Sequence, residues 1–212
     1  MAPLTIPLND GKQIPWLGFG TGTALYGKDA ESAIKVAIAN GIIHLDGAQL
    51  YGNEDSLGNG IAASSKSRSE LFVTTKLGKL PEGKTVRDTL VESLKKLKLD
   101  YVDLFLIHMP IHHEGKLKAV WKEFEELKKE GLAKSIGVSN FRVKDFEELL
   151  DGATVVPAVN QVSRSACTIV WNDIRRDFSC GRLSSILTST RRLPPCLSSR
   201  RNTTSLRPLM AA

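Results

Sequence analysis

Long apolar runs are missing from this sequence. No stretch approaches the roughly 18 apolar residues that span a bilayer, so a membrane protein is not expected. The N-terminus, MAPLTIPLND, has no basic stretch followed by an apolar core, so a secretory signal is not expected. Cysteine is scarce: three residues build no disulfide framework, because one is always left over, and a reducing cytoplasm is the expected setting. Lysine is absent from residues 163–212, which hold 9 Arg against Asp173 and Asp177, a net charge of +7. Residues 1–162 hold 17 Lys and 3 Arg against 21 acidic residues, a net charge of −1. The overall charge of +6 therefore belongs to the last segment, and the remainder offers no basic face for phosphate contact. A nucleic-acid partner is not expected. With 42% hydrophobic and 25% charged residues over 212 positions, the chain has the balance of one soluble globular domain.

From residue 14 to residue 161 a unit recurs: a short β-branched apolar run, an amphipathic stretch of helical period, then another apolar run. The runs are Trp16–Gly20, Ile42–Leu45, Leu71–Thr75, Val102–Ile107, Ser135–Val138 and Pro157–Asn160. Before them, Leu4–Leu8 and Gln13–Ile14 flank Asn9-Asp10-Gly11, a hairpin turn that predicts a cap on the N-terminal end. Asp29 is placed to cap the first helix, with Ala33, Ala37 and Ile38 facing inward before Asn40-Gly41 ends it. Asn53 opens the next helix. Thr85 with Asp88 forms a capping-box pair, followed by Val86, Leu90, Leu94 and Leu97 on one face. Leu117, Val120, Trp121, Phe124 and Leu127 mark another helix, stopped by Gly131. Val143, Phe146, Leu149 and Leu150 mark the fifth. Strand, helix, strand at about 30-residue spacing means right-handed βαβ units and a parallel sheet. Continuous apolar strands fit a sheet covered on both faces. A doubly wound open sheet and a closed barrel both satisfy this pattern.

After Val162 the texture changes. Arg and Ser rise to nine each, all three cysteines appear, and periodicity fades apart from a short helical stretch at Ile169–Phe178. Pro194-Pro195 and the Arg/Ser/Thr-rich end predict disorder. Residues 163–212 are either a basic interaction tail or non-native sequence from a frame shift or mis-splicing. The second is favoured, because a changed codon frame swaps Lys for Arg and Ser and erases periodicity.

The chemistry sits at the strand ends. The second run ends at Asp46, the third at Lys76, the fourth at His108, the fifth at Ser139-Asn140 and the sixth at Gln161. Each alone has a dull explanation: a turn cap, a solvated lysine, a satisfied core histidine. Together they line one rim, and the C-terminal rim of a parallel barrel is where active sites are built. Tyr51 lies five residues beyond Asp46, in a loop that reaches the same rim. A free phenol is a poor acid at neutral pH, and a neighbouring ammonium favours its ionised form. Asp46 would hold Lys76 in place, and His108 would donate to a carbonyl oxygen. That is a proton donor suited to reducing a ketone or aldehyde.

Four other features invite assignment. Gly18-Phe19-Gly20-Thr21-Gly22 has the spacing G-x-G-x-G with no helix until about Asp29, which is not the dinucleotide fingerprint. His112-His113 lacks a further ligand at metal-binding spacing, so no metal site is expected. Asn202-Thr203-Thr204 is a glycosylation sequon without a secretory context. Trp16 is placed either in the pocket wall or in the core.

Six stretches carry a family resemblance: GFGTGT at 18–23, DGAQLYGNE at 46–54, TTK at 74–76, DYVDLFLIHMP at 100–110, KSIGVSNF at 134–141 and PAVNQV at 157–162. In that order they resemble the aldo-keto reductase family, and the resemblance covers residues 1–162. It implies an α/β fold, a (β/α)₈ TIM barrel of which about six of eight strands are present here. It implies NADPH bound without a Rossmann fold, and a catalytic tetrad at Asp46, Tyr51, Lys76 and His108. Gly22 and Thr23 would sit near the cofactor, and Ser139, Asn140 and Gln161 would hold the nicotinamide carboxamide. The implied reaction passes hydride to a carbonyl carbon as Tyr51 gives its proton to the oxygen. The wording GTGTALYG and DGAQLYGNE is most similar to fungal members acting on ketones, keto-amides or conjugated polyketones. Family members continue for two more strands and a basic segment gripping the 2′-phosphate. Here unrelated sequence begins at Ser163, with Arg191-Arg192 or Arg200-Arg201 as the remaining basic candidates. An incomplete barrel would leave its first and sixth strands with unpaired edges. Oligomeric state and the natural substrate are not set by the sequence.

Overall fold

A computed structural model describes residues 4–162 and 168–170. The chain opens with a hairpin of β1 (Thr5–Pro7) and β2 (Gln13–Pro15), paired antiparallel about the Asn9-Asp10-Gly11 turn. Then follow β3 (Gly18–Gly20), α1 (Glu31–Ala39), β4 (His44–Asp46), α2 (Glu54–Ala62), β5 (Phe72–Leu77), α3 (Val86–Leu97), β6 (Val102–Ile107), α4 (Leu117–Glu130), β7 (Ala133–Ser139), α5 (Val143–Leu150), β8 (Val159–Gln161) and β9 (Thr168–Val170). The sheet order is strictly sequential, β3 to β9, with every step parallel except the last.

Sequential order decides between the two architectures. A doubly wound sheet reverses its strand order at a switch point, and this sheet does not. It also curls. At the usual strand spacing of about 4.8 Å, the ends of β4 and β8 would lie about 19 Å apart in a flat sheet. Instead the Gln161 amide donates to Asp46 Oδ2 at 3.2 Å. Curling puts alternate side chains into two cores. Leu104 and Leu106 of β6 turn inward with Phe72, Ala158 and Val159, while Phe105 and Ile107 turn outward against the helices. The hairpin closes the bottom of the inner core: Leu8 and Ile14 join it, and Asp10 accepts hydrogen bonds from Lys128 and Ser135, each at 2.9 Å.

The helices follow their sequence signals. The Thr85–Asp88 capping box is present, and Val86, Leu90, Leu94 and Leu97 are all buried. Leu117, Val120, Trp121, Phe124 and Leu127 are buried, and α4 stops at Gly131. In α1 the expectation needs adjusting. Asp29 lies one residue before the cap position and accepts from the Glu31 N–H at 2.8 Å, and Ile34, not Ala33, is the fully buried residue.

Two further expectations are corrected. Trp16 neither walls a rim pocket nor enters the core. β3 begins two residues later than the apolar run, so Trp16 falls at the N-terminal end of the sheet. There it is 67% exposed, in a groove with Leu4, Pro15, Leu17, Ile42 and Ile43. The edge of β8 is not left unpaired: Thr168–Val170 runs antiparallel along it, where a helix was expected from residue 169. A Thr-Ile-Val run has good strand propensity. The expected helix beyond residue 170, Pro194-Pro195, the paired arginines and the sequon at Asn202 lie outside the described residues.

Gly137 marks where the inner core tolerates no side chain. A Cβ there would stand 2.7 Å from the Val159 carbonyl oxygen and 2.9 Å from a Leu106 methyl. Gly137→Ala is expected to lower stability by about 1–3 kcal/mol through overpacking against backbone. A shift of the chemical-denaturation midpoint at unchanged slope checks this.

Candidate active site

Parallel strands deliver their C-terminal ends to one rim, and the register brings the predicted residues together there. Asp46 ends β4, Lys76 is the penultimate residue of β5, His108 follows β6, Ser139 ends β7 and Gln161 ends β8. Tyr51 closes a short 3₁₀ turn, Gln49–Tyr51, after β4. The turn ends at Gly52 in the left-handed region, and the Tyr51 carbonyl accepts from the Gly27 N–H at 2.8 Å.

Lys76 is the centre of the arrangement. Its side chain is 1% exposed, and its ammonium donates to Asp46 Oδ1 at 2.6 Å, to the Gly47 carbonyl at 2.9 Å and to Tyr51 Oη at 3.4 Å. All three ammonium N–H groups are used. Because Lys76 donates to Tyr51, the phenol keeps its own proton free to give elsewhere. The His108 ring meets the Tyr51 ring edge-on, with centroids 5.4 Å apart.

His108 is held neutral. Burial and the neighbouring Lys76 charge depress its pKa to about 4, against a smaller opposing pull from Asp46. Its Nδ1 is buried with no hydrogen-bond partner among the described residues, so Nε2 is the nitrogen left to reach a ligand.

The remaining predicted residues also lie on the rim. Asn140 takes a left-handed backbone (φ 59°), donates from its side chain to the His108 carbonyl at 3.2 Å and to Ser139 Oγ at 3.0 Å, and places its own N–H 2.9 Å from the Gln161 carbonyl. Ser139 Oγ donates to that same carbonyl at 2.6 Å. Gly22 lies under the Tyr51 ring, where a Cβ would approach Cζ to 2.8 Å, so any larger residue must displace the phenol. Thr23 is exposed in the loop after β3, and its carbonyl accepts from the Tyr26 N–H at 3.4 Å.

Several contributors were not predicted as site residues, although Asn53 was expected to open α2 and does take its N-cap position. Thr21 is fully buried and directs its N–H at the Asp46 carbonyl at 3.0 Å. Asn53 ties the loop after β3 to α2 by donating to the carbonyls of Thr21 and Leu25, at 3.0 and 2.8 Å. Tyr26 stands beside Tyr51, with ring centroids 6.1 Å apart. The available signal was that Asn53 lies inside the DGAQLYGNE stretch. The histidine pair is structural on one side: His113 is buried with Nε2 at 3.0 Å from the Gly78 carbonyl. No group of three His, Cys, Asp or Glu side chains that could hold a metal occurs among the described residues.

The depressed His108 pKa has a pH consequence. An unfolded histidine takes a proton near pH 6.5 and the folded one only near 4. The folded state thus binds fewer protons in that window, and stability falls as pH drops from about 6.5 to about 4. His108→Gln is expected to remove that part of the slope, read from denaturation midpoints across the range. An unchanged slope would mean that the folded imidazole titrates normally.

Three comparisons agree on what the chain is similar to. The model of the Aldo/keto reductase family matches residues 16–177, fifteen residues beyond the last shared motif. Among curated relatives, the glyoxal reductase of Bacillus subtilis (strain 168) is 42% identical over 159 residues, covering 74% of this chain and 57% of that protein. The methylglyoxal reductase DkgA of Escherichia coli (strain K12) is 41% identical over 160 residues, covering 76% and 58%. The chain thus spans a little over half the length of these relatives. A crystal structure of an aldo/keto reductase from Brucella melitensis superposes with TM-score 0.69 at 40% identity, covering 76% of this chain and 63% of that one. The Bombyx mori aldo-keto reductase in complex with NADP gives TM-score 0.66 at 38% identity, covering 76% and 58%. A sequential, curled parallel sheet carrying Asp46, Tyr51, Lys76 and His108 on one rim, and a family match over most of the chain, place this protein in the aldo/keto reductase family.

Proposed function

We propose that the chain belongs to an NADPH-dependent reductase of aldehydes and ketones, with Tyr51 as proton donor. The observation that carries this reading is the Asp46–Lys76–Tyr51 chain, 2.6 Å and then 3.4 Å, with the His108 ring against the phenol.

The residues fit a nicotinamide cofactor. Ser139, Asn140 and Gln161 gather a hydroxyl and two side-chain amides at the ends of β7 and β8. Among the described residues the Gln161 amide has one N–H on Asp46, and keeps its second N–H and its oxygen for a carboxamide. NADPH, when bound there, supplies the hydride. The protein's own contribution is positional and electrostatic. Tyr51 donates its proton to the carbonyl oxygen, and the Lys76 ammonium stabilises the phenolate left behind. Asp46 supplies the counter-charge that keeps an ammonium in a buried place. Neutral His108 offers Nε2–H to the same oxygen and fixes its direction; a protonated ring would add a second cation beside Lys76.

The names of the relatives favour small dicarbonyls, glyoxal and methylglyoxal, as first substrates to try. A yeast relative, the NAD/NADP-dependent indole-3-acetaldehyde reductase of Schizosaccharomyces pombe, at 41% identity over 162 residues, supports a wider carbonyl range and either nicotinamide cofactor. The narrower reading as a fungal-type ketone reductase rests on the GTGTALYG and DGAQLYGNE wording alone. A cytoplasmic place is part of the proposal; among the described residues no helix is long and apolar enough to cross a membrane. Residues 1–162 are the portion that carries the reductase motifs; the family match to residue 177 and the pairing of Thr168–Val170 with β8 extend past it.

The alternative reading is a catalytically inactive aldo/keto reductase-like chain; it spans 57% of the length of the glyoxal reductase it matches. Oxidation of NADPH with methylglyoxal separates the two. The reductase reading predicts turnover that falls about 10²–10⁴-fold in Tyr51→Phe, the usual worth of a positioned proton donor. No turnover by the wild type above a Tyr51→Phe background would favour the inactive reading, and a real rate unchanged in Tyr51→Phe would remove Tyr51 as the proton donor.

A further inference from the structure

The turn that carries Tyr51 is held from its other end by a side chain with no part in the tetrad. Gln49 begins the 3₁₀ turn, and its amide makes three hydrogen bonds. Oε1 accepts from the Gly78 N–H at 2.9 Å, just past β5; Nε2 donates to the Thr89 carbonyl at 3.3 Å and to Ser93 Oγ at 3.1 Å, both on α3. Ser93 in turn donates to Glu54 Oε2 at 3.1 Å, and Thr75, the neighbour of Lys76, donates to Glu54 Oε1 at 2.7 Å. Glu54 is 2% exposed and opens α2 two residues after the turn ends. The hydroxyls of Ser93 and Thr75 both donate to one buried carboxylate, which fixes the sense of the chain: Gln49 amide to Ser93 to Glu54, and back to β5 through Thr75. Burial raises the Glu54 carboxyl above its ordinary range, while the two hydroxyls pull it down.

We propose that Gln49 is a positioning residue for Tyr51, its amide locking the turn to the end of β5 and to α3 so that the phenol stays within reach of Lys76. The proposal rests on the reductase reading above for its effect on rate, but not for its effect on geometry. Nothing else on the turn's own side chains does this. Leu50 is apolar, and Tyr51 itself is tied through its hydroxyl to Lys76 and through its carbonyl to Gly27. Positioning errors of about 1 Å can cost about 10²-fold in rate.

The test is Gln49→Met, which keeps the volume and removes all three hydrogen bonds. Two readouts are taken on the full chain. The Gly22 α-proton facing the Tyr51 ring, where a Cβ would lie 2.8 Å from Cζ, carries an upfield ring-current shift in the wild type. That shift is expected to collapse in Gln49→Met. For methylglyoxal reduction, kcat is expected to drop at least about tenfold with KM within about twofold, the signature of an interaction made in the transition state. If Gln49→Met does not fold, Ser93→Ala, which breaks the middle link away from the turn, takes the same readouts and is expected to move them in the same direction. An unmoved Gly22 shift overturns the proposal, as does an unmoved kcat in a chain that turns over. If the wild type shows no turnover, the reductase reading fails, and the Gly22 shift alone decides the role of Gln49.

Discussion

A buried ammonium with one carboxylate to answer it is the constraint around which this molecule is arranged. Lys76 is 1% exposed, and Asp46, its partner at 2.6 Å, is 16% exposed. Taking such an ion from water costs several kcal/mol, and the cost is met only when the counter-charge and every remaining donor are satisfied. Asp46, the Gly47 carbonyl and the Tyr51 hydroxyl meet that requirement together. The phenol is therefore not an accidental neighbour. It fills the third donor position of a lysine that cannot leave a donor empty, and in doing so it is aimed at the rim with its own proton unspent.

The curl of the sheet makes this closure possible. Gln161 reaches Asp46 from four strands away, so the carboxylate is held from both sides, by β5 through Lys76 and by β8 through Gln161. The hairpin at the bottom and the helices outside leave the top as the face where polar side chains gather. Fold and chemistry meet in Gly22 and Gly137, where an absent side chain lets a ring and a carbonyl oxygen come close.

Much of this was legible in the sequence because the signals were local. Apolar runs of β-branched residues, a Thr85–Asp88 capping box, and five polar residues at successive strand ends each follow from short-range chemistry. What escaped were choices made in three dimensions. Trp16 belongs by composition to the first apolar run, yet the strand starts at Gly18 and leaves the indole at the far end of the sheet. Gln49 is one polar residue in a loop, and nothing within the chain announces that Gly78 and Ser93 await it. Thr168–Val170 had the β-branched residues of a strand but sat in a stretch whose Arg and Ser content obscured them. Depressed titration of His108 likewise depends on burial beside Lys76, which no spacing reveals.

The claim that Lys76 acts through Tyr51, and not beside it, is tested most directly by the rate of NADPH-dependent methylglyoxal reduction in Lys76→Met, Tyr51→Phe and the double variant. Groups that work as one unit are strongly non-additive. The double variant should be no slower than Tyr51→Phe alone. A double variant slowed by the product of the two single losses would contradict the account, because it would mean that the ammonium and the phenol contribute independently.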